Sequence, residues 1–165
     1  MQAGDMRSLL FLIPLLLLGS LLPTHAGGKK QDMAGISFHM ETEPGENPKM
    51  VFPQVLSGKE RYFRRVPEVT AKDLKAFRPF EDPGGAGYGV LVELKPGAVN
   101  RLAGVTAANT GKWLLARVNG NIVDAVKIDK QITDGKLVIW KGISQEGIVA
   151  MDKILPRIGE QKPRR

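Results

Sequence analysis

Few of the side chains that carry out catalysis are present, and their spacing does not assemble them. The chain has 165 residues, no cysteine and two histidines, His25 and His39. Thiol nucleophiles, disulfides and cysteine-based zinc sites are therefore excluded. A metal site would have to be built almost wholly from carboxylates, and neither a metal nor a cofactor is expected. His39 could serve as a general base only beside a partner, and no motif supplies one, so it reads as a packed or edge histidine. Glu93, Asp124, Asp129 and Asp134 could meet in space as a hydrolytic carboxylate pair. Their expected places on turns and hairpin flanks read instead as solvated surface. Gly85-Ala86-Gly87-Tyr88-Gly89 has the glycine density of a phosphate loop, yet it precedes a strand, opens no helix and lacks the Gly-Lys-Ser/Thr ending.

Binding chemistry is better served. Arg61, Arg64 and Arg65 interleave with Tyr62 and Phe63. On a strand Arg61, Phe63 and Arg65 share one face, so an aromatic floor would lie between two guanidinium groups. The alternative for the same residues is an edge strand guarded by charge. Trp113 and Trp140, the two tryptophans, would line an apolar groove with the helices or else belong to the core.

Positioning these residues requires a folded domain in a defined compartment. Arg7 precedes an apolar run of 14 residues, Leu9 to Leu22, which ends at Thr24-His25-Ala26. That is a signal-peptide layout, and a spanning helix would want roughly 20 apolar residues. Cleavage near Ala26 is expected, giving an exported, periplasmic or extracellular protein with no transmembrane helix; uncleaved, the segment would be an anchor. Residues 27–35 read as a flexible lead-out, 36–158 as one domain and 159–165 as a basic tail. A domain of this length can bury a core without covalent staples. The net charge of +7 bears on partners more than on fold. For an exported protein the polyanions at hand are lipid headgroups and envelope polymers, not nucleic acid.

Within the domain, Ile36, Phe38 and Met40 alternate with polar residues as a half-buried strand does, and residues 61–66 read as a second strand. Thr70 and Asp73 form a short-armed capping box that predicts a helix over 70–77, with Val69 stapled against Leu74. Strand 88–94 follows, then a helix opening at Pro96 and closing near Asn109, with Gly111 past its end. Strands 113–118 and 122–128 flank Asn119-Gly120, a strong hairpin signal. Strand 137–140 follows Asp134-Gly135, and Ser144 caps a last helix that Pro156 ends. The order ββαβαβββα predicts an α+β fold: a single domain with a mixed, mainly antiparallel sheet and helices packed on one face. Thr70, Asp73, Asn109, Gly111, Asn119, Gly120, Gly135 and Ser144 are expected to specify turns and caps rather than to bind a ligand.

The series from strand 89–94, through Thr106-Ala107-Ala108-Asn109-Thr110-Gly111-Lys112, Val118-Asn119-Gly120, Ile128, Ile132 and Asp134-Gly135, to Gly142-Ile143-Ser144-Gln145-Glu146 carries a resemblance. Residues 88–159 resemble the head subdomain of the large periplasmic domain of the protein-export factor SecD/SecDF. In that family the head lies between membrane helices whose proton flow drives export. Here Lys95-Pro96-Gly97 stands where an acidic or hydroxyl helix cap would be expected, and residues 36–80 have no counterpart in the resemblance. What it implies is a non-catalytic extracytoplasmic module that contacts polypeptides or an envelope partner protein. The alternative is an electrostatic binder of anionic lipid or envelope polymer through Arg61, Arg64, Arg65 and the tail. A carboxylate-based hydrolase comes third.

Overall fold

The computed structural model describes residues 35–160 apart from 46 and 86. The expected signal segment, most of the lead-out and residues 161–165 of the tail lie outside the described residues.

The chain opens with β1 (Ser37–Thr42), the strand announced by the alternation at its start. Ile36, Phe38 and Met40 are at most 2% exposed. After a loop in which the Asn47 side chain accepts from the Lys49 N–H at 3.0 Å, a hairpin forms from β2 (Val51–Leu56) and β3 (Lys59–Arg64). Ser57 and Gly58 turn it with φ of 51° and 74°, the paired positive values that suit a tight hairpin. β2, which Pro53 interrupts, falls outside the strands expected from the sequence. As the outermost strand of its sheet, it can carry a residue with no N–H at little cost.

The helix expected over 70–77 is a strand. The Thr70 N–H and hydroxyl both donate to Asp73 Oδ2, at 2.8 and 3.0 Å, so the cap forms. It closes only a three-residue 3-10 turn, Ala71–Asp73, between the short β4 (Val69–Thr70) and β5 (Leu74–Glu81). An eight-residue helix is marginal by itself, and Arg78 before Pro79 is biased toward extended backbone. Pairing β5 with β6 (Tyr88–Leu94) buries Leu74 and Phe77 to 1% or less. That packing outweighs the local cap.

Beyond β6 the elements fall where expected. Pro96 starts α1 (Pro96–Ala108), whose cap residue Lys95 makes no side-chain capping bond. Asn109 follows, its Nδ2 donating to Val105 O at 2.8 Å, and Gly111 takes φ 89°. β7 (Trp113–Val118) and β8 (Asn121–Lys127) flank Asn119-Gly120, at φ 50° and 82°. Gly135 leads into β9 (Lys136–Ile143). Ser144 Oγ accepts from the Gly147 N–H at 3.2 Å and opens α2 (Gln145–Ile154).

Every strand ladder is antiparallel. The larger sheet has the order β2-β3-β1-β7-β8, with β4 on the same edge of β1 as β3; the smaller has the order β5-β6-β9. The β1–β7 ladder, from Ser37 opposite Arg117 to Met40 opposite Leu114, joins the first half of the chain to the sheet of the second. The one parallel pairing among the described residues outside the ladders is the bridge between Phe77 and Arg157. A single core joins the inner faces of both sheets, including Phe38, Phe77, Val90, Leu114 and Ile139, to Leu102 of α1 and Met151 of α2. The fold is thus α+β, in two antiparallel sheets with two helices.

Candidate interaction surface

The smaller sheet buries one face in the core and leaves the other partly open to solvent. Strand alternation puts Val90 and Val92 inside and Gly89, Leu91 and Glu93 outside. The register then builds three ranks across the outer face. Lys136, Glu93 and Ala76 form the first and Val138, Leu91 and Arg78 the second; in the third Gly89 is opposite Phe80, and Trp140, beyond the last pairing of Ile139 with Val90, packs on Phe80 outside the ladder. Glu93 is ion-paired with Lys75 at 2.8 Å. Arg78 and Lys136 are exposed and have no ion-pair partner among the described residues.

Trp140 is 56% exposed, and a backbone irregularity aims it. Between Ile139 and Ile143 β9 loses register with β6, and Gly142 takes φ 86°. Such bulges commonly re-aim a side chain. The Trp140 N–H, freed from the ladder, donates to Asp124 Oδ2 of β8 at 2.7 Å. The Trp140 ring meets Phe80 edge to face at 5.8 Å. Phe80 in turn lies over Gly89, where an added Cβ would come 2.3 Å from the phenyl ring. The result is an aromatic pair, exposed at Trp140 and half-buried at Phe80, fixed from beneath by glycine and from the side by a carboxylate.

The arginine cluster is arranged differently from expectation. Phe63 is fully buried and cannot be an open floor. Arg61 does lie against an aromatic ring, but it is Trp113, whose centroid is 5.4 Å from the guanidinium carbon. Glu41 binds both partners, Oε1 accepting from Arg61 at 2.7 Å and Oε2 from the Trp113 N–H at 2.8 Å. Arg64 pairs with Glu68 at 3.5 Å, and the Tyr62 hydroxyl donates to Glu60 at 2.6 Å. Arg65 is exposed. Trp113 and Trp140 keep separate company, the former with Arg61 and the latter with Phe80.

His39 is 4% exposed and belongs to a small cluster on the far face of β1. Its Nδ1 is 2.8 Å from the Arg64 carbonyl, which can only accept, so Nδ1 carries the proton. Nε2 then accepts from the Ser37 hydroxyl at 2.9 Å. Burial holds its pKa below the ordinary 6.5; the Arg64 carbonyl opposes the shift and the Arg117 charge adds to it. Of the four carboxylates named as a possible pair, Asp129 is exposed and the other three have separate tasks. Glu93 meets Lys75, Asp124 meets Trp140, and Asp134 accepts from the Lys136 N–H. Among the described residues no three of His, Asp and Glu converge as a metal site would need.

Sequence reasoning picked out Trp140 but missed Phe80, Leu91, Val138 and the anchoring role of Asp124. A signal was available. Val90-Leu91-Val92 and Leu137-Val138-Ile139-Trp140 are apolar without alternation, so each strand must show apolar side chains on both faces, and the single core covers only one.

The fold has counterparts among solved structures. A chain of SecDF, described as a membrane component that enhances protein export, superposes with a TM-score of 0.51 at 22% identity, over 73% of this chain and 61% of that one. A SecDF crystal structure in the super-membrane-facing form gives a TM-score of 0.50 at 23% identity, over 70% of this chain and 18% of the other. In sequence, 78 residues are 35% identical to the protein translocase subunit SecD of Thermobaculum terrenum. That stretch is 47% of this chain and only 15% of the subunit. No family model matches the chain. The chain therefore resembles a domain of SecD/SecDF, as expected. The structural match takes in more of the chain than residues 88–159, so part of the first half has a counterpart too. Among the described residues no helix is long and apolar enough to cross a membrane.

Proposed function

We propose that this chain is a non-catalytic, extracytoplasmic interaction module that contacts polypeptides or an envelope partner protein in the setting of protein export. The observation that carries the reading is the 35% identity over 78 residues to a protein translocase subunit. The outer face of β5-β6-β9 supports it, since it carries exposed Trp140 beside half-buried Phe80, Leu91 and Val138, and apolar patches at the surface mark interaction sites. Because the chain corresponds to 15% of that subunit, energised translocation is not part of the proposal. The electrostatic alternative is weakened by the ion pairs that occupy Arg61 and Arg64.

The test is titration of the exported chain into a fluorescently labelled, permanently unfolded polypeptide, followed by anisotropy at low and at physiological salt. Saturable binding that persists at physiological salt is expected. No saturable binding at either salt overturns the proposal. Binding seen only at low salt, where charges are screened less and act over longer distances, favours the electrostatic alternative.

A further inference from the structure

We infer that the outer face of the smaller sheet is a docking surface for an extended, apolar polypeptide segment flanked by carboxylates. The inference rests on the interaction-module reading and gives it a site and a ligand chemistry. Exposed Trp140 and half-buried Phe80 form an aromatic pair at one end, and half-buried Leu91 and Val138 continue the apolar strip beside it. Arg78 shares the rank of Leu91, and Lys136 lies one rank beyond. The single carboxylate of these ranks, Glu93, is already neutralised by Lys75. A ligand covering the strip thus meets two cations that lack ion-pair partners among the described residues, and Lys141 adds a third exposed cation in the bulge beside Trp140.

Desolvating unpaired cations opposes docking of a purely apolar or basic segment. A carboxylate on the ligand's flank removes that penalty and steers the encounter. The aromatic pair supplies the anchor: aromatic residues dominate binding energy where they are rigidly placed, and here the ring contact and the bulge fix both rings before any ligand arrives.

The experiment uses two labelled synthetic peptides with the same extended core of leucine, valine and phenylalanine, one flanked by aspartate and glutamate and the other by lysine. Anionic and zwitterionic vesicles serve as a third probe. The exported chain is expected to bind the acid-flanked peptide roughly tenfold tighter than the lysine-flanked one at low salt, since each exposed charge pair contributes modestly. The double variant Arg78→Glu/Lys136→Glu should reverse the preference. Trp140→Ala, which keeps the backbone bond to Asp124, should weaken both peptides roughly tenfold. Equal binding of both peptides, unmoved by charge reversal, overturns this inference but leaves the interaction module standing. Loss of peptide binding together with failure to bind unfolded polypeptide overturns both. Binding to anionic vesicles and to neither peptide overturns the inference in favour of a lipid surface.

Discussion

The Asp124 carboxylate of β8 accepts the backbone N–H of Trp140 in β9 at 2.7 Å, while its other oxygen accepts from Ala125 N–H at 2.8 Å. The bond crosses from one sheet to the other where no strand ladder joins them. One side chain thereby substitutes for ladder bonds and holds the bulge that turns Trp140 outward. Asp124→Ala should cost about 1 to 2 kcal/mol, the range for a hydrogen bond to a charged group at a partly open site. In a Trp113→Phe background, the emission of Trp140 should also lose anisotropy. Urea denaturation together with polarised fluorescence checks both. An unchanged anisotropy would mean that the Phe80 contact alone holds the ring.

Gly89 is required by packing rather than by backbone conformation. A Cβ there would lie 2.3 Å from the Phe80 ring and 2.6 Å from the Trp140 carbonyl oxygen. The ring can swing away, but only by abandoning Trp140, and the carbonyl is fixed in the bulge. Gly89→Ala is therefore expected to destabilise by about 1 to 3 kcal/mol, as overpacking does. It should also raise acrylamide quenching of Trp140. Full stability with unchanged quenching would contradict this geometry.

His39 makes stability depend on pH. Its folded pKa lies below the ordinary 6.5, chiefly through burial, so the folded state holds the neutral ring more strongly than the unfolded chain does. The contribution is complete above pH 6.5 and is lost as pH falls below it, because the unfolded state then binds the extra proton. Arg117, within reach of the same cluster through Phe52, sharpens the penalty. His39→Gln should be less stable than the parent at pH 8, with the gap narrowing as pH drops from 6.5. Asp73 titrates in a separate window. Burial would raise its pKa, but the bonds from Thr70 and Arg101 outweigh that and hold it below 3.8. Chemical denaturation at half-unit pH steps distinguishes the two, and a gap constant with pH would remove His39 as the source.

What could be read from residue order was mostly what local chemistry dictates. Asn119-Gly120, Pro96, Gly111 and Ser144 each act within a few residues, and each places its turn or helix end correctly. The same logic failed at Thr70 and Asp73, where the cap is real but long-range pairing of β5 with β6 decides the element. It failed again at Pro53, whose tolerance depends on β2 being an edge strand, a fact of topology. Of the candidate surface, the exposure of Trp140 depends on a bulge and on a carboxylate 16 residues away, and neither leaves a periodic trace. Phe63 is opposite Phe52 of β2, ring to ring at 6.0 Å, and is fully buried, so an expected floor became interior.

Glu41, Arg61 and Trp113 supply the last prediction, because one carboxylate there satisfies two donors. Glu41 is 14% exposed and Arg61 24% in their side chains, so the pair is largely shielded from solvent. Arg61 Nε is buried without a hydrogen-bond partner among the described residues, which makes the remaining bonds of the guanidinium more consequential. Glu41→Ala leaves the Trp113 N–H and the Arg61 charge unpaired together, and should cost roughly 2 to 3 kcal/mol. Arg61→Ala removes the cation and its stacking on Trp113, leaving Glu41 still bonded to the Trp113 N–H, and should cost less. The double variant should cost less than the sum of the two, with a coupling of about 1 kcal/mol or more for groups in direct contact. A double-mutant cycle in urea measures it. Strict additivity would show that the ion pair contributes nothing and that Glu41 acts only through the backbone of β7.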